Sequence, residues 1–341
     1  MNKENRLLEL DALRGIAALG VVIFHYTVAF KDQYSYGVDI LPVFRYFRYG
    51  KHGVELFFLI SGFVILMSLG RTRNGSDFVF ARFSRLYPAY WVAIVISFIV
   101  VTIANFPDLR IDYRDALINL TMFQQFLNVP NIDGNYWTLG LELSFYIIML
   151  VLFMARLLKR IDAVAIGWLL VMLAGFLLEK TSVLVLDPRI KVLLVIEHAH
   201  LFIIGMMFYE VHTKGFSAKK CLIIAACLLF SLLKHGWEPT LFVAAFVAAF
   251  TLILKGYLVF INVKPLLFLG TISYSLYLNH LNFGLVAIKG LERVGLNINL
   301  AILITLVLSI VLAAAVTFYV EKPILNFIKS QRKAFLLRRD N

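Results

Sequence analysis

Residues 10–25 read LDALRGIAALGVVIFH, an apolar stretch that carries Asp11, Arg14 and His25. Ionisable groups inside a span of this kind are costly in a bilayer and mark ion, proton or substrate chemistry. On an α-helix, Arg14 and His25 are separated by about three turns plus roughly 20° and by about 16 Å of rise, so they share one face. That face presents a guanidinium low and an imidazole high. The alternative is an arginine stretching along its apolar stem to the membrane surface, with a histidine satisfied by a neighbouring helix.

Other residues could join them. Arg82 and Arg85 stand at i, i+3 spacing in the run RFSRLYP, where side chains of one helical turn meet, and paired guanidinium groups suit phosphate. They serve equally as topology-setting positive charge. Pro88 is expected to open the third span in its first turn, which would put both arginines at the mouth of that helix. Ser61 and Gly62 allow another helix, or a ligand, to approach the backbone in mid-span. Glu142, in the run NYWTLGLE, and His280, in SYSLYLNH, are expected at the depth of His25. An imidazole oriented by a carboxylate is a general-base arrangement, so His25 and Glu142 are read as a dyad and His280 as a third member. Glu197, His198 and His200 raise the question of a metal. An H-x-H pair on a helix points its rings about 200° apart and cannot chelate locally, so no metal is expected. No Walker loop, nucleophile elbow or dinucleotide fingerprint is present.

The elements that must position these residues follow from composition. The 341-residue chain is 61% hydrophobic and 16% charged, with a mean hydropathy of +0.83, more apolar surface than a soluble domain of this size hides. Stretches long enough to cross a membrane fall near 10–30, 53–70, 87–104, 136–155, 163–179, 192–211, 220–235, 239–256, 265–288 and 298–319. The expected fold is therefore an all-α polytopic membrane helix bundle of about ten transmembrane helices. The net charge of +12 lies in short runs between spans, which argues for a bilayer and against nucleic acid. With both termini cytoplasmic, 20 Lys and Arg fall in inner segments and 12 in outer loops, Arg14 completing the 33. The first outer loop, with Lys31, Arg45, Arg48 and Lys51, weakens that bias. A basic tail carries Lys329, Arg332, Lys333, Arg338 and Arg339, so residues 1–325 read as the membrane domain and 326–341 as a cytoplasmic tail. The N-terminal stretch reads as a retained span and not as a signal peptide. Cys221 and Cys227 lie too far apart along one helix for a disulfide.

These motifs together resemble the integral-membrane acyltransferase 3 family. The resemblance is carried by residues 10–15 followed by His25, an Arg, ten residues, His pattern; by residues 53–63 and 82–88; by residues 137–146; by residues 270–280; and by residues 319–323, YVEKP. It spans nearly the whole chain in the family's order. It implies O-acylation of extracytoplasmic polysaccharides, peptidoglycan, lipids or small molecules. By the resemblance, His25 is catalytic, Arg14, Arg82 and Arg85 help to bind acyl-CoA, and Glu142 supports the site. Trp137, Asp11, Ser61 and His280 are substrate-site candidates.

The resulting expectation is a bacterial inner-membrane O-acetyltransferase that uses acetyl-CoA or another acyl-CoA as donor, holds no permanent cofactor, and acylates a hydroxyl of a surface glycan or its lipid-linked precursor. A transporter or flippase of a glycan or lipid-linked sugar is the rival class. A third reading, a proton-coupled membrane subunit, would explain the His and Glu but not the Arg82 and Arg85 pair. His25 would act as a base or carry the acyl group itself. Many relatives add a soluble esterase-like domain, so the membrane unit would finish the transfer itself, pass the acyl group to a separate extracytoplasmic protein, or work as a homo-oligomer. One continuous cavity is expected from the arginines to His25, narrow and basic at the arginine end.

Overall fold

The computed structural model describes residues 7–34, 41–105 and 112–339. Parts of the loops at 31–52 and 105–135 lie outside these residues, as do the side chains of Arg45 and of the tail residues Arg332, Lys333, Arg338 and Arg339. The described residues form helices and turns with no strand. The principal helices are α1 (Leu8–Phe24), α2 (Gly53–Leu69), α3 (Gly75–Ala104), α4 (Trp137–Met154), α5 (Ile161–Lys180), α6 (Ala199–Lys214), α7 (Ala218–His235), α8 (Trp237–Leu254), α9 (Lys264–Arg293), α10 (Ile298–Val316) and α11 (Lys322–Arg339).

A helix accompanies each of the ten apolar stretches, but seven spans among the described residues are long and apolar enough to cross a bilayer. The other three stretches differ for identifiable reasons. Helix α6 has 16 residues, α7 carries lysines at both ends, and α9 is diluted by Ser, Tyr, Asn and His along its 30 residues. The protein is a multi-pass membrane helix bundle.

Two helix contacts set the frame, and both depend on glycine. Helix α1 lies along α9, where a Cβ on Gly15 would stand 2.7 Å from the Gly270 nitrogen and one on Gly270 would meet the carbonyl oxygen of Asp11. Helix α2 lies along α6, where Cβ atoms on Gly62 and Gly205 would meet the carbonyl oxygens of Phe202 and Leu59. Backbones approach this closely only without side chains between them. Gly62 thus serves helix packing.

Three local features differ from expectation. Pro88 lies inside α3, which starts much earlier, at Gly75, with the Asn74 side chain accepting from Asp77 N–H at 2.9 Å. Arg82 and Arg85 therefore sit along the helix wall and not at its mouth. A wide π turn, His25–Ala29, follows α1, and a second, Thr317–Glu321, joins α10 to α11. Such turns re-aim side chains and recur at functional sites. Because α11 continues that helix to Arg339, the division expected at 325/326 falls within a helix.

Candidate active site

Two adjoining cavities penetrate the bundle between α1, α2, α3 and α9. The wider, about 460 Å³, is lined at one end by Arg71, His212 and Lys322 and reaches Asp11, Arg14 and Arg85. The narrower, about 140 Å³, shares Arg14 and Arg85 with it and continues past Arg82, Ser61 and Glu142 to Thr138 and Tyr277. All three sequence-selected arginines thus face the same connected space. It widens at the basic end, the reverse of the expected taper, because Arg82 and Arg85 lie part-way along α3.

The arginines are engaged differently. Arg85 forms an ion pair with Glu321, which is 2% exposed and aimed by the second π turn. Ser275 donates to the other Glu321 oxygen at 3.2 Å, and Thr317 donates to Ser275 at 3.0 Å. Arg14 and Arg82 both repel Arg85 electrostatically. Among the described residues Arg82 bonds only Ser68, at 3.4 Å, and its buried Nε has no acceptor. A guanidinium with unused donors on a cavity wall can bind an anion.

Glu142 faces this cavity and accepts hydrogen bonds from Ser61, at 3.3 Å, and from Tyr146. It makes no direct contact with His25, so the expected dyad is not formed. The residue of that segment that meets His280 is Asn135, seven positions earlier, about 10 Å along a helix. The 3-10 turn Gly134–Tyr136 holds Asn135 at the depth the span count assigned to Glu142.

His25 and His280 do come together. His25 Nδ1 lies 3.1 Å from His280 Nε2 and 2.9 Å from the Val21 carbonyl oxygen. His280 is fully buried, its Nδ1 is 2.9 Å from the Tyr277 carbonyl oxygen, and Asn135 Nδ2 is 3.2 Å from its Nε2. Tyr26, within the first π turn, donates to the His280 carbonyl at 2.7 Å and contacts Ser309 at 2.7 Å. His25 is half-buried and lines neither cavity. On the His280 side one layer separates the histidine pair from the narrow cavity: the Phe57 and Tyr277 rings, 5.8 Å apart, line that cavity, and Tyr277 lies 5.7 Å from the His280 ring.

Beneath Asn135, Asp133 is buried and accepts from the backbone N–H groups of Asn135, at 3.0 Å, and Asn282, at 3.1 Å. Burial raises its carboxyl to about pKa 6 against the pull of those two bonds. Asn135, Asp133, Tyr26 and Glu321 carried no separate signal in the sequence, except that Glu321 lies in the terminal motif.

The remaining candidates are placed as follows. Ser61 lines the narrow cavity and Asp11 the wide one. Trp137 is 38% exposed and packs on His198, with ring centroids 5.5 Å apart, away from His25. His198 precedes the first turn of α6, so both it and His200 approach His235, at 6.1 and 5.6 Å between ring centroids. No group of three or more His, Cys, Asp or Glu among the described residues is arranged to hold a metal ion. Cys221 and Cys227 are both free.

Comparison with known proteins decides the family, because the acyltransferase-domain model of the acyltransferase 3 family matches residues 7–320. The chain belongs to the acyltransferase 3 family. Relatives include the acyltransferase MdmB of Streptomyces mycarofaciens, 29% identical over 48% of this chain and 43% of that protein. The peptidoglycan O-acetyltransferase OatA of Listeria monocytogenes is 26% identical over 41% of this chain and 23% of its own length. The exopolysaccharide production protein ExoZ of Rhizobium meliloti is 28% identical over 50% and 54%. The chain thus spans about half or less of the length of these relatives. No solved structure matches it.

Proposed function

We propose that this acyltransferase 3 protein is an O-acyltransferase, most simply an O-acetyltransferase of a bacterial inner membrane, that moves an acyl group from cytosolic acyl-CoA to a hydroxyl of a surface glycan or its lipid-linked precursor. The observation that carries the reading is the connected cavity, open at a basic end and lined by Arg14, Arg82 and Arg85, that stops one aromatic layer from the His25 and His280 pair. A phosphate-bearing donor would be held by the guanidinium groups, among which Arg82 keeps a buried Nε–H without a protein acceptor. Its extended arm would follow the narrow cavity past Ser61 and Glu142, and the Phe57 and Tyr277 rings would part to admit the thioester.

At His25, the imidazole takes the acceptor's hydroxyl proton as the oxygen bonds to the thioester carbonyl carbon. Collapse of the tetrahedral intermediate breaks the carbon–sulfur bond, and the imidazolium returns the proton to the leaving thiolate. Alcohol plus thioester give ester plus thiol, with no other reactant. OatA and ExoZ bear names that point to peptidoglycan and exopolysaccharide, which supports a glycan acceptor here.

The test is thiol release by the purified full chain in lipid, supplied with acetyl-CoA and candidate glycans and followed by mass analysis of the acceptor. Acceptor-dependent thiol release with an acetyl mass gain supports the reading. Glycan movement across vesicles without thiol release would make the protein a transporter.

A further inference from the structure

We infer that His280 is a positioning residue that, together with the Val21 carbonyl, holds the His25 ring in one plane as the Nδ1–H tautomer, so that the nitrogen serving the acceptor hydroxyl is Nε2; this rests on the transferase reading above. A chain of hydrogen bonds whose ends have fixed roles assigns the protons. The carbonyl oxygen of Tyr277 can only accept, and it lies 2.9 Å from His280 Nδ1. That nitrogen therefore carries hydrogen. His280 is fully buried with no carboxylate bonded to it, a setting for a neutral ring, so its Nε2 is a lone pair. Asn135 Nδ2, a donor, is nearer to that nitrogen (3.2 Å) than to Nδ1 (3.5 Å), as this assignment requires.

His25 Nδ1 then faces two acceptors, His280 Nε2 at 3.1 Å and Val21 O at 2.9 Å. With two acceptors and no donor before it, Nδ1 must carry hydrogen. The neutral ring is left with a bare Nε2, the atom able to accept the hydroxyl proton. A solitary backbone acceptor would fix the tautomer but leave the ring free to swing about that one contact. His280 supplies the second point that fixes its plane. The wide turn at His25–Ala29 begins at this residue, and Tyr26 in the same turn anchors the His280 backbone. The two helices that hold the rings are also those brought together by Gly15 and Gly270. In a carboxylate–histidine pair a negative charge would stabilise the imidazolium formed during transfer. Here no carboxylate among the described residues is hydrogen-bonded to either ring, and orientation is what the second imidazole contributes.

The experiment has two arms on the full chain in lipid bilayers. Nitrogen-15 NMR of histidine-labelled protein, with His25→Ala and His280→Gln used for assignment, should show His25 and His280 protonated at Nδ1 and bare at Nε2 at neutral pH. His25 found as the Nε2–H form overturns the proposal. In the kinetic arm, His280→Leu should lower kcat on the order of 100-fold with both KM values within about twofold, whereas His280→Gln, whose amide oxygen can accept from Nδ1–H, should retain about a tenth of the activity or more. Equal loss in both variants at matched folding, or a loss carried by KM, overturns it. If the wild type transfers no acyl group at all, the transferase reading fails while the NMR arm still decides the tautomer.

Discussion

Arg85 and Glu321 form an ion pair at the junction of the two cavities, with the carboxylate almost wholly buried and the guanidinium flanked by the like charges of Arg14 and Arg82. Removing one partner of such a pair leaves the other charge uncompensated, at a cost of about 3–5 kcal/mol, whereas replacing both with apolar groups is far milder. Arg85→Ala and Glu321→Ala should therefore each lower the melting temperature in detergent markedly, and the double variant Arg85→Met with Glu321→Leu should recover most of the loss. Additive destabilisation in the double variant would show that the pair is not coupled.

Arg82 makes few contacts in the described structure, one long bond to Ser68 and packing over the Phe78 and Tyr146 rings. Arg82→Ala should leave thermal stability nearly unchanged but raise the KM for acyl-CoA by roughly 10- to 100-fold, the loss of a charge-assisted hydrogen bond worth about 1.5–3 kcal/mol. Arg82→Lys should recover only part, since an ammonium cannot reproduce the planar fork. Unchanged donor KM would leave Arg82 a topology signal.

Glu142 belongs with this donor channel by its contacts. Its bonds to Ser61 and Tyr146 place it on the cavity wall beside Arg82, which rests over the Tyr146 ring. Glu142→Gln should alter donor KM more than kcat and leave the nitrogen-15 signature of His25 unmoved. A change confined to kcat with a shifted His25 spectrum would instead join Glu142 to the imidazole.

How much of this could be read from the sequence varied with the kind of information each feature needs. Spans follow from hydropathy, and Arg14 is marked by charge placed where a membrane resists it, whereas Arg82 and Arg85 are marked by their i, i+3 spacing and reach the same cavity from along α3. Counting depth along two spans puts His25 and His280 at one level, and only the packing of α1 on α9 brings them into contact. The same counting misplaces Glu142, because a 3-10 turn precedes the helix and holds Asn135 at that depth instead. Pro88 misled in a related way: a proline signals a helix start only when nothing before it can continue the helix, and Asn74 caps α3 well upstream. The two π turns left no trace in periodicity, since one extra residue in a helix changes facing without changing composition. Ser61 and Gly62, adjacent in sequence, face a cavity and a helix respectively, a distinction only packing could make.

Asp133 gives a pH dependence with a definite sign. Its folded carboxyl is raised to about 6 by burial, so the native state binds the proton more tightly than the unfolded chain does. The associated stability is fully present below the ordinary carboxylate value of about 4 and is lost as pH rises through about 6, a change of order 1–3 kcal/mol. The melting temperature of the wild type should fall between pH 5 and pH 7.5, and Asp133→Asn should flatten that slope. Its own melting temperature at pH 5 should be lower, because one of the two backbone donors it serves would then face an amide N–H. A slope equally steep in the variant would assign the titration to another group.

The cavity gives the reaction two sides. The wide cavity opens among Arg71, His212 and Lys322, and it narrows toward Thr138 and Tyr277 before the aromatic layer beneath His25. A donor with several phosphates would enter where cations are densest and be drawn inward as its arm replaces space between Ser61 and Tyr277. An acceptor glycan is too broad and too polar for that route and would reach His25, which is half-buried, from the opposite face. In sealed vesicles of known orientation, acyl-CoA present only on the side of Arg71 and Lys322 should acylate an impermeant glycan present only on the other. Ser61→Phe, which fills the narrow cavity without touching either histidine, should abolish that transfer while the wide cavity still binds free CoA. Acylation that requires both substrates on one side would refute passage of the acyl group through the protein.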